Sequence, residues 1–185
     1  MKKILFFISF LIHFQMMAQQ PDTVFLQKLL LAKPELFNGI LNHPTKNEVQ
    51  VMYTQVNRDK NNKPTFTSYS YNLDPKRYFY PASTVKLAAV IFALEKVNEL
   101  KSKGLHSNLT MLTDSSFKGQ TKVTKDESAQ NGKPTIAHYV KKILLTSDND
   151  AFNRLFEFIG IAEINSKLKK YGLVESRILN RLAIG

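Results

Sequence analysis

Ser83 and Lys86 stand three apart in "YPASTVKLAAVIFALEKV", where a polar loop passes into a long apolar helical pattern. A serine hydroxyl becomes a useful nucleophile when a neighbouring base takes its proton. Lysine can be that base if burial disfavours its charged form and lowers its pKa. A helix N-terminus adds outward-pointing N–H groups that favour developing negative charge. The spacing alone leaves two readings balanced, because Ser83 could equally cap the helix while Lys86 reaches solvent. Ser-x-x-Lys also occurs as Ser115/Lys118 and Ser166/Lys169. Those pairs fall in a polar stretch and on an amphipathic helix face, and both read as incidental.

A second cluster tips the balance. Ser147, Asp148 and Asn149 occur together once, after Ser83, in "LLTSDNDAFNRLFEFIG" between two helical patterns. These residue types are ordinary helix caps. They also suit chemistry, since a serine near a lysine relays a proton, an asparagine amide holds a carbonyl, and an aspartate braces a loop. If the two clusters share a cleft, the Ser83 hydroxyl and the Lys86 amine should lie within hydrogen-bond range.

The surrounding elements must position these groups. "TVFLQKLLLAKPELFNGIL" has helical spacing broken or bent at Pro34. "EVQVMYTQVN" and "TFTSYSYNL" alternate around a polar turn and predict a β-hairpin, with Val49, Val51, Tyr53 and Val56 as its buried side. The helix that begins at Ser83 is apolar around most of its circumference through Leu94 and stops at Gly104, which predicts a central, buried helix. Residues 105–133 are polar and lysine-rich and predict an irregular surface excursion. Three further helices follow. The first opens at Pro134 with Ile136, Val140, Ile143 and Leu144 on one face, the second starts at Asp148–Asp150 and ends at Gly160, and the third ends at Gly172. A hairpin followed by helices is an α+β arrangement.

Composition narrows the chemistry. Lys2 and Lys3, the apolar run Ile4–Phe14 and Ala18 have the layout of a secretory signal peptide over residues 1–18, leaving residues 19–185 as one partial domain. Eleven apolar residues are too few to span a bilayer, so no membrane anchor is expected after cleavage. The chain has no cysteine, which excludes disulfides, thiolate nucleophiles and thiolate metal sites. His43, His106 and His138 are scattered without metal-ligand spacing, so no metal or other cofactor is expected. The net charge of +11, or +9 without Lys2 and Lys3, is carried by dispersed lysines and reads as a solvated basic surface rather than a nucleic-acid interface.

"STVK", "TSDNDAFNRLFEFIG" and "KLKKYGLVESRILNRL" together resemble the class A β-lactamases and related penicillin-recognising serine hydrolases, whose pattern is S-x-x-K, S-D-N and K-T-G. The resemblance extends from about residue 22 to the end of the chain. It implies a β-lactamase/transpeptidase-like fold, here mostly the helical domain with the N-terminal helix and hairpin. It implies Ser83 as the acylated nucleophile, Lys86 as its proton partner and Ser147 as the shuttle to the leaving nitrogen. Asn149 would contact the substrate's acylamide side chain, Asp148 would brace the loop, and the Ser83 N–H would be one oxyanion donor.

Two of the family's elements do not occur in the sequence. No Lys-Thr-Gly or Lys-Ser-Gly is present, and the Glu-x-x-x-Asn element expected soon after "SRILNRLAIG" is not reached. Glu163 and Glu175 stand in no such motif. The chain therefore reads as the first part of a longer, periplasmic or secreted hydrolase. Its expected partner is a β-lactam or a peptidoglycan-like peptide, and it is expected to be a monomer. Three activities fit: a serine β-lactamase, a D-alanyl-D-alanine carboxypeptidase or transpeptidase, and an inactive penicillin-binding remnant.

Overall fold

The computed structural model describes residues 21–183. The expected signal peptide therefore lies outside the described residues. The chain divides between Tyr78 and Phe79 into two compact units. Among the described residues they hold six α-helices and one two-stranded antiparallel sheet, an α+β architecture of the class expected.

The first unit contains α1 (Val24–Leu31), α2 (Pro34–Leu41), β1 (Val51–Arg58) and β2 (Pro64–Tyr71). Asp22 starts α1 by accepting the Val24 and Phe25 N–H groups. Pro34 then opens α2 at its first turn, where a missing N–H costs nothing, and so divides what would otherwise be one helix. The strands pair from Val51 with Tyr71 to Arg58 with Pro64. Their turn is tied by Asp59, whose carboxylate accepts the Asn61 and Lys63 N–H groups. The Asp22 backbone adds to the outer edge of β2 through Ser68 and Ser70.

Tyr53 and Val56 were expected to be buried but are 48 % and 51 % exposed. In this unit α1 covers the hairpin only through contacts such as Phe25 on Tyr69, with ring centroids 4.5 Å apart. Alternation in the sequence marks faces, but a hairpin without a packed second layer leaves them open.

The second unit is helical and carries all the candidate site residues. A single 3-10 turn, Ala82–Thr84, leads into α3 (Val85–Glu99). The α-helix thus starts two residues later than the sequence pattern suggested. After Glu99 a further 3-10 turn closes at Gly104, in a left-handed conformation (φ 84°) that glycine adopts without a steric penalty. Residues 105–133 form the expected excursion, with short bridges between Thr110 and Thr135 and between Thr113 and Val123. Then come α4 (Ile136–Thr146), α5 (Asn149–Ile159) and α6 (Ile161–Lys170).

The core of this unit joins Ala89, Phe92 and Ala93 of α3 to Tyr139 and Ile143 of α4 and to Phe152 and Leu155 of α5, with Ile164 and Leu168 from α6. The expected all-round burial of α3 is not observed. Leu87, Ile91 and Leu94 are 55 %, 50 % and 41 % exposed along one stripe. On α4, Tyr139 fills the place expected of Leu144, which is exposed, because the buried arc runs through positions 136, 139 and 143.

Charge also joins α3 to α6. Lys167, 6 % exposed, lies 3.0 Å from Glu95 and 2.8 Å from Glu99, while Lys96 pairs with Glu163 at 2.8 Å. The Tyr171 hydroxyl and Lys167 donate to Glu95 and hold its carboxylate at about 2, below the ordinary 4.5. Glu95 is therefore more acidic folded than unfolded, and its contribution to stability is complete above about pH 4.5 and lost as pH falls towards 2. Glu95→Gln should lower the denaturation midpoint at neutral pH and flatten its decline across that window. In the same urea titrations, Phe152→Ala should cost about 3–5 kcal/mol, whereas Ile91→Ser on the exposed stripe should stay within about 0.5 kcal/mol.

Candidate functional site

Lys86 occupies the second position of α3 and is 2 % exposed. An amine so buried needs partners, and the α4–α5 junction supplies them. Lys86 Nζ donates to the Ser147 carbonyl oxygen and, at 3.0 Å, to Ser147 Oγ. Burial pushes the Lys86 pKa down, and the Asp148 carboxylate opposes that shift. The other Ser-x-x-Lys pairs differ: Lys118 and Lys169 are exposed.

The junction is built by two caps. Ser147 ends α4 in the left-handed region (φ 54°, ψ 38°), with its N–H bonded to the Ile143 carbonyl. Asp148 begins α5, its Oδ1 accepting the Ala151 N–H at 2.7 Å and its Oδ2 lying 3.3 Å from Lys142 Nζ. The turn between the caps presents the Ser147 carbonyl and hydroxyl to Lys86. Asp148 thus caps α5 and pairs with Lys142 within the turn.

Ser83 lies in the 3-10 turn before α3 and is exposed. Its predecessor Ala82 has φ 45°, a conformation that costs a residue with a β-carbon roughly 1–2 kcal/mol. No hydrogen bond joins Ser83 Oγ to Lys86 among the described contacts. The sequence placed that pair within bonding range, whereas the amine faces Ser147. The pair that is joined, Lys86 with Ser147, links the two motifs across 61 positions of sequence.

Asn149 is the first residue of α5, and its Nδ2 donates to the Ala183 carbonyl oxygen at 2.6 Å. Two further asparagines extend this hold on the C-terminal segment. Asn153, 2 % exposed, grips the Leu182 peptide from both sides, donating to its carbonyl at 2.9 Å and accepting its N–H at 2.8 Å. Asn165 does the same to Ile178. Neither belongs to a sequence motif. Their readable signal was an asparagine on the apolar face of a helix, where an amide is tolerated only with its hydrogen bonds made.

The remaining carboxylates divide plainly. Glu163 belongs to the α3–α6 ion pairs, and Glu175 is exposed. His138 sits at the start of α4 with Nε2 3.1 Å from Asp126, and Asp126 also pairs with Lys142 at 3.1 Å. Arg154, 2 % exposed, donates to the Thr121 carbonyl at 2.7 Å and pairs with Asp150, tying the excursion to α5.

Residues 35–184 match the sequence model of the beta-lactamase enzyme family. No curated protein matches the chain.

The Asn153 clamp makes a direct prediction. Asn153→Ala leaves the Leu182 N–H and carbonyl without their partner, at a cost of about 1–3 kcal/mol. Hydrogen exchange at the Leu182 amide should accelerate by roughly tenfold or more, while amides in the middle of α3 change little. Equal acceleration at both places would mean that Asn153 supports the whole unit rather than the segment.

Proposed function

We propose, from the premise that this chain belongs to the beta-lactamase enzyme family, that it is a serine hydrolase of the class A type, acylated at Ser83 by β-lactams. One observation carries the reading: a buried lysine from the Ser-x-x-Lys motif bonded to the serine of the Ser-Asp-Asn motif. Lys167 is buried against the carboxylates of Glu95 and Glu99, whereas the amine of Lys86 is hydrogen-bonded to Ser147 and to no carboxylate.

In the proposed reaction, Ser83 Oγ attacks the lactam carbonyl carbon and gives its proton to the neutral Lys86 amine. The C–O bond forms, the carbonyl oxygen takes up negative charge near the Ser83 N–H, and the C–N bond then breaks. The leaving nitrogen takes its proton from Ser147 Oγ, which is replenished from Lys86. The 3.0 Å contact between Lys86 and Ser147 supports this second transfer. The first requires Lys86 Nζ to swing towards Ser83, or one water to bridge them. Asn149 offers its amide to the substrate's acylamide group, and Asp148 holds the turn. The pattern of Lys2, Lys3, Ile4–Phe14 and Ala18 supports export to the compartment where such substrates occur.

A cell-wall carboxypeptidase or transpeptidase is the second reading: it would share acylation at Ser83 and release the acyl group slowly or to another acceptor.

Mass spectrometry after incubation with a penicillin tests both readings. The chain should gain the mass of one penicillin, and Ser83→Ala should gain none. Ser147→Ala should acylate on the order of 100-fold more slowly. Rapid loss of the adduct with turnover of a chromogenic cephalosporin supports the lactamase. A stable adduct supports the wall enzyme, and an adduct that survives Ser83→Ala overturns both.

A further inference from the structure

Lys142 lies outside both motifs, yet its ammonium sits between two carboxylates, 3.1 Å from Asp126 and 3.3 Å from Asp148. All three side chains are largely withdrawn from water, with 25 %, 15 % and 26 % of their surfaces exposed. Asp148 directly follows Ser147, whose carbonyl and hydroxyl hold Lys86. A continuous line of charged and polar groups therefore runs from the excursion through Lys142 to the buried amine. We propose that Lys142 is a positioning residue for acylation: by pairing with Asp148 it restrains the pull of that carboxylate on Lys86 and keeps more of the Lys86 amine in its neutral, proton-accepting form.

The physical case is one of competing charges in poorly hydrated surroundings. The groups facing Lys86 are Ser147 and the Asp148 carboxylate, which favours the protonated amine. Lys142 faces Asp148 on one side and Asp126 on the other, and Asp126 in turn meets Ser128 and His138. The buried, uncharged phenol of Tyr139 and the Asp150–Arg154 ion pair lie in the same neighbourhood. A cation beside Asp148 reduces the net negative field at Lys86, and so less of the amine is protonated at a given pH. Asp126 draws the same cation the other way. The division of Lys142 between its two partners thus sets how much of the Asp148 charge reaches Lys86.

This inference rests on the reading of Lys86 as the base, and the test separates the two. The acylation rate with penicillin is followed by mass spectrometry across pH in the full chain and in Lys142→Gln, Lys142→Arg and Asp126→Asn. Titration of the Lys86 side chain is followed in the same proteins by NMR of labelled lysine. A neutral base makes acylation rise with pH, so a Lys86 that holds its proton more tightly moves that rise to higher pH. Lys142→Gln should therefore slow acylation roughly three- to tenfold on the acid side, with the alkaline plateau held within about twofold. Lys142→Arg, which keeps the charge, should restore the profile.

Asp126→Asn frees Lys142 for Asp148 and should shift the profile in the opposite direction. Loss of packing would slow both variants at every pH, and that result overturns the proposal. So does a Lys86 titration that ignores the charge at position 142. If the titration moves as expected while acylation does not follow it, the coupling stands and the assignment of Lys86 as the base fails.

Discussion

Burial of one amine constrains the rest of the site. Lys86 enters from the first turn of α3, on the side packed into the helical core, and only 2 % of it is exposed to water. Its hydrogen bonds must therefore come from protein, and the Ser147 carbonyl and hydroxyl are what the fold offers. To offer both, α4 must stop abruptly and α5 must begin at once. Ser147 achieves the stop with left-handed backbone angles, and Asp148 the start with its capped N–H. The compactness of Ser-Asp-Asn follows from that requirement, since a longer connection would carry the hydroxyl away from α3.

The same constraint decides which asparagines are needed. A helix as deeply buried as α5 presents Asn153 to the interior, and an interior amide without partners is costly. The Leu182 peptide satisfies it, and Asn165 on α6 satisfies Ile178. Two side chains thus fix the path of an otherwise irregular segment and carry Ala183 to Asn149. Order in that segment comes from side-chain amides, each replacing one step of a strand ladder.

Much of this was legible in the sequence and some was not, for identifiable reasons. The helix ends were readable because caps are local: Pro34, Gly104, Asp148 and Gly160 act on their own backbone or the next turn. The association of Ser-x-x-Lys with Ser-Asp-Asn was readable because two short motifs occurred in a known order. The partner of the Lys86 amine was not, since spacing along one helix favours Ser83 and only the packing of α3 against the junction favours Ser147. Burial on α3 and the hairpin was overstated because an apolar stripe records what a face tolerates, not what covers it. Leu87, Ile91, Tyr53 and Val56 are apolar or aromatic and exposed. Asn153 and Asn165 were missed because their partners, 29 and 13 positions away, are backbone groups with no side-chain signature.

Strain and charge then divide the work between the two halves of the site. Ala82, before Ser83, and Ser147 both take left-handed backbone angles that residues with a β-carbon rarely adopt. Each fixes the direction of one hydroxyl-bearing turn, and each is tolerable only because the helix beside it is firmly packed. Geometry is thus set by α3, α4 and α5. Electrostatic balance comes from a different source, because the groups that bear on Asp148 reach out through Lys142 to Asp126 in the irregular excursion. The excursion thus bears on the charge beside Asp148, while the packed helices fix the turns that carry Ser83 and Ser147.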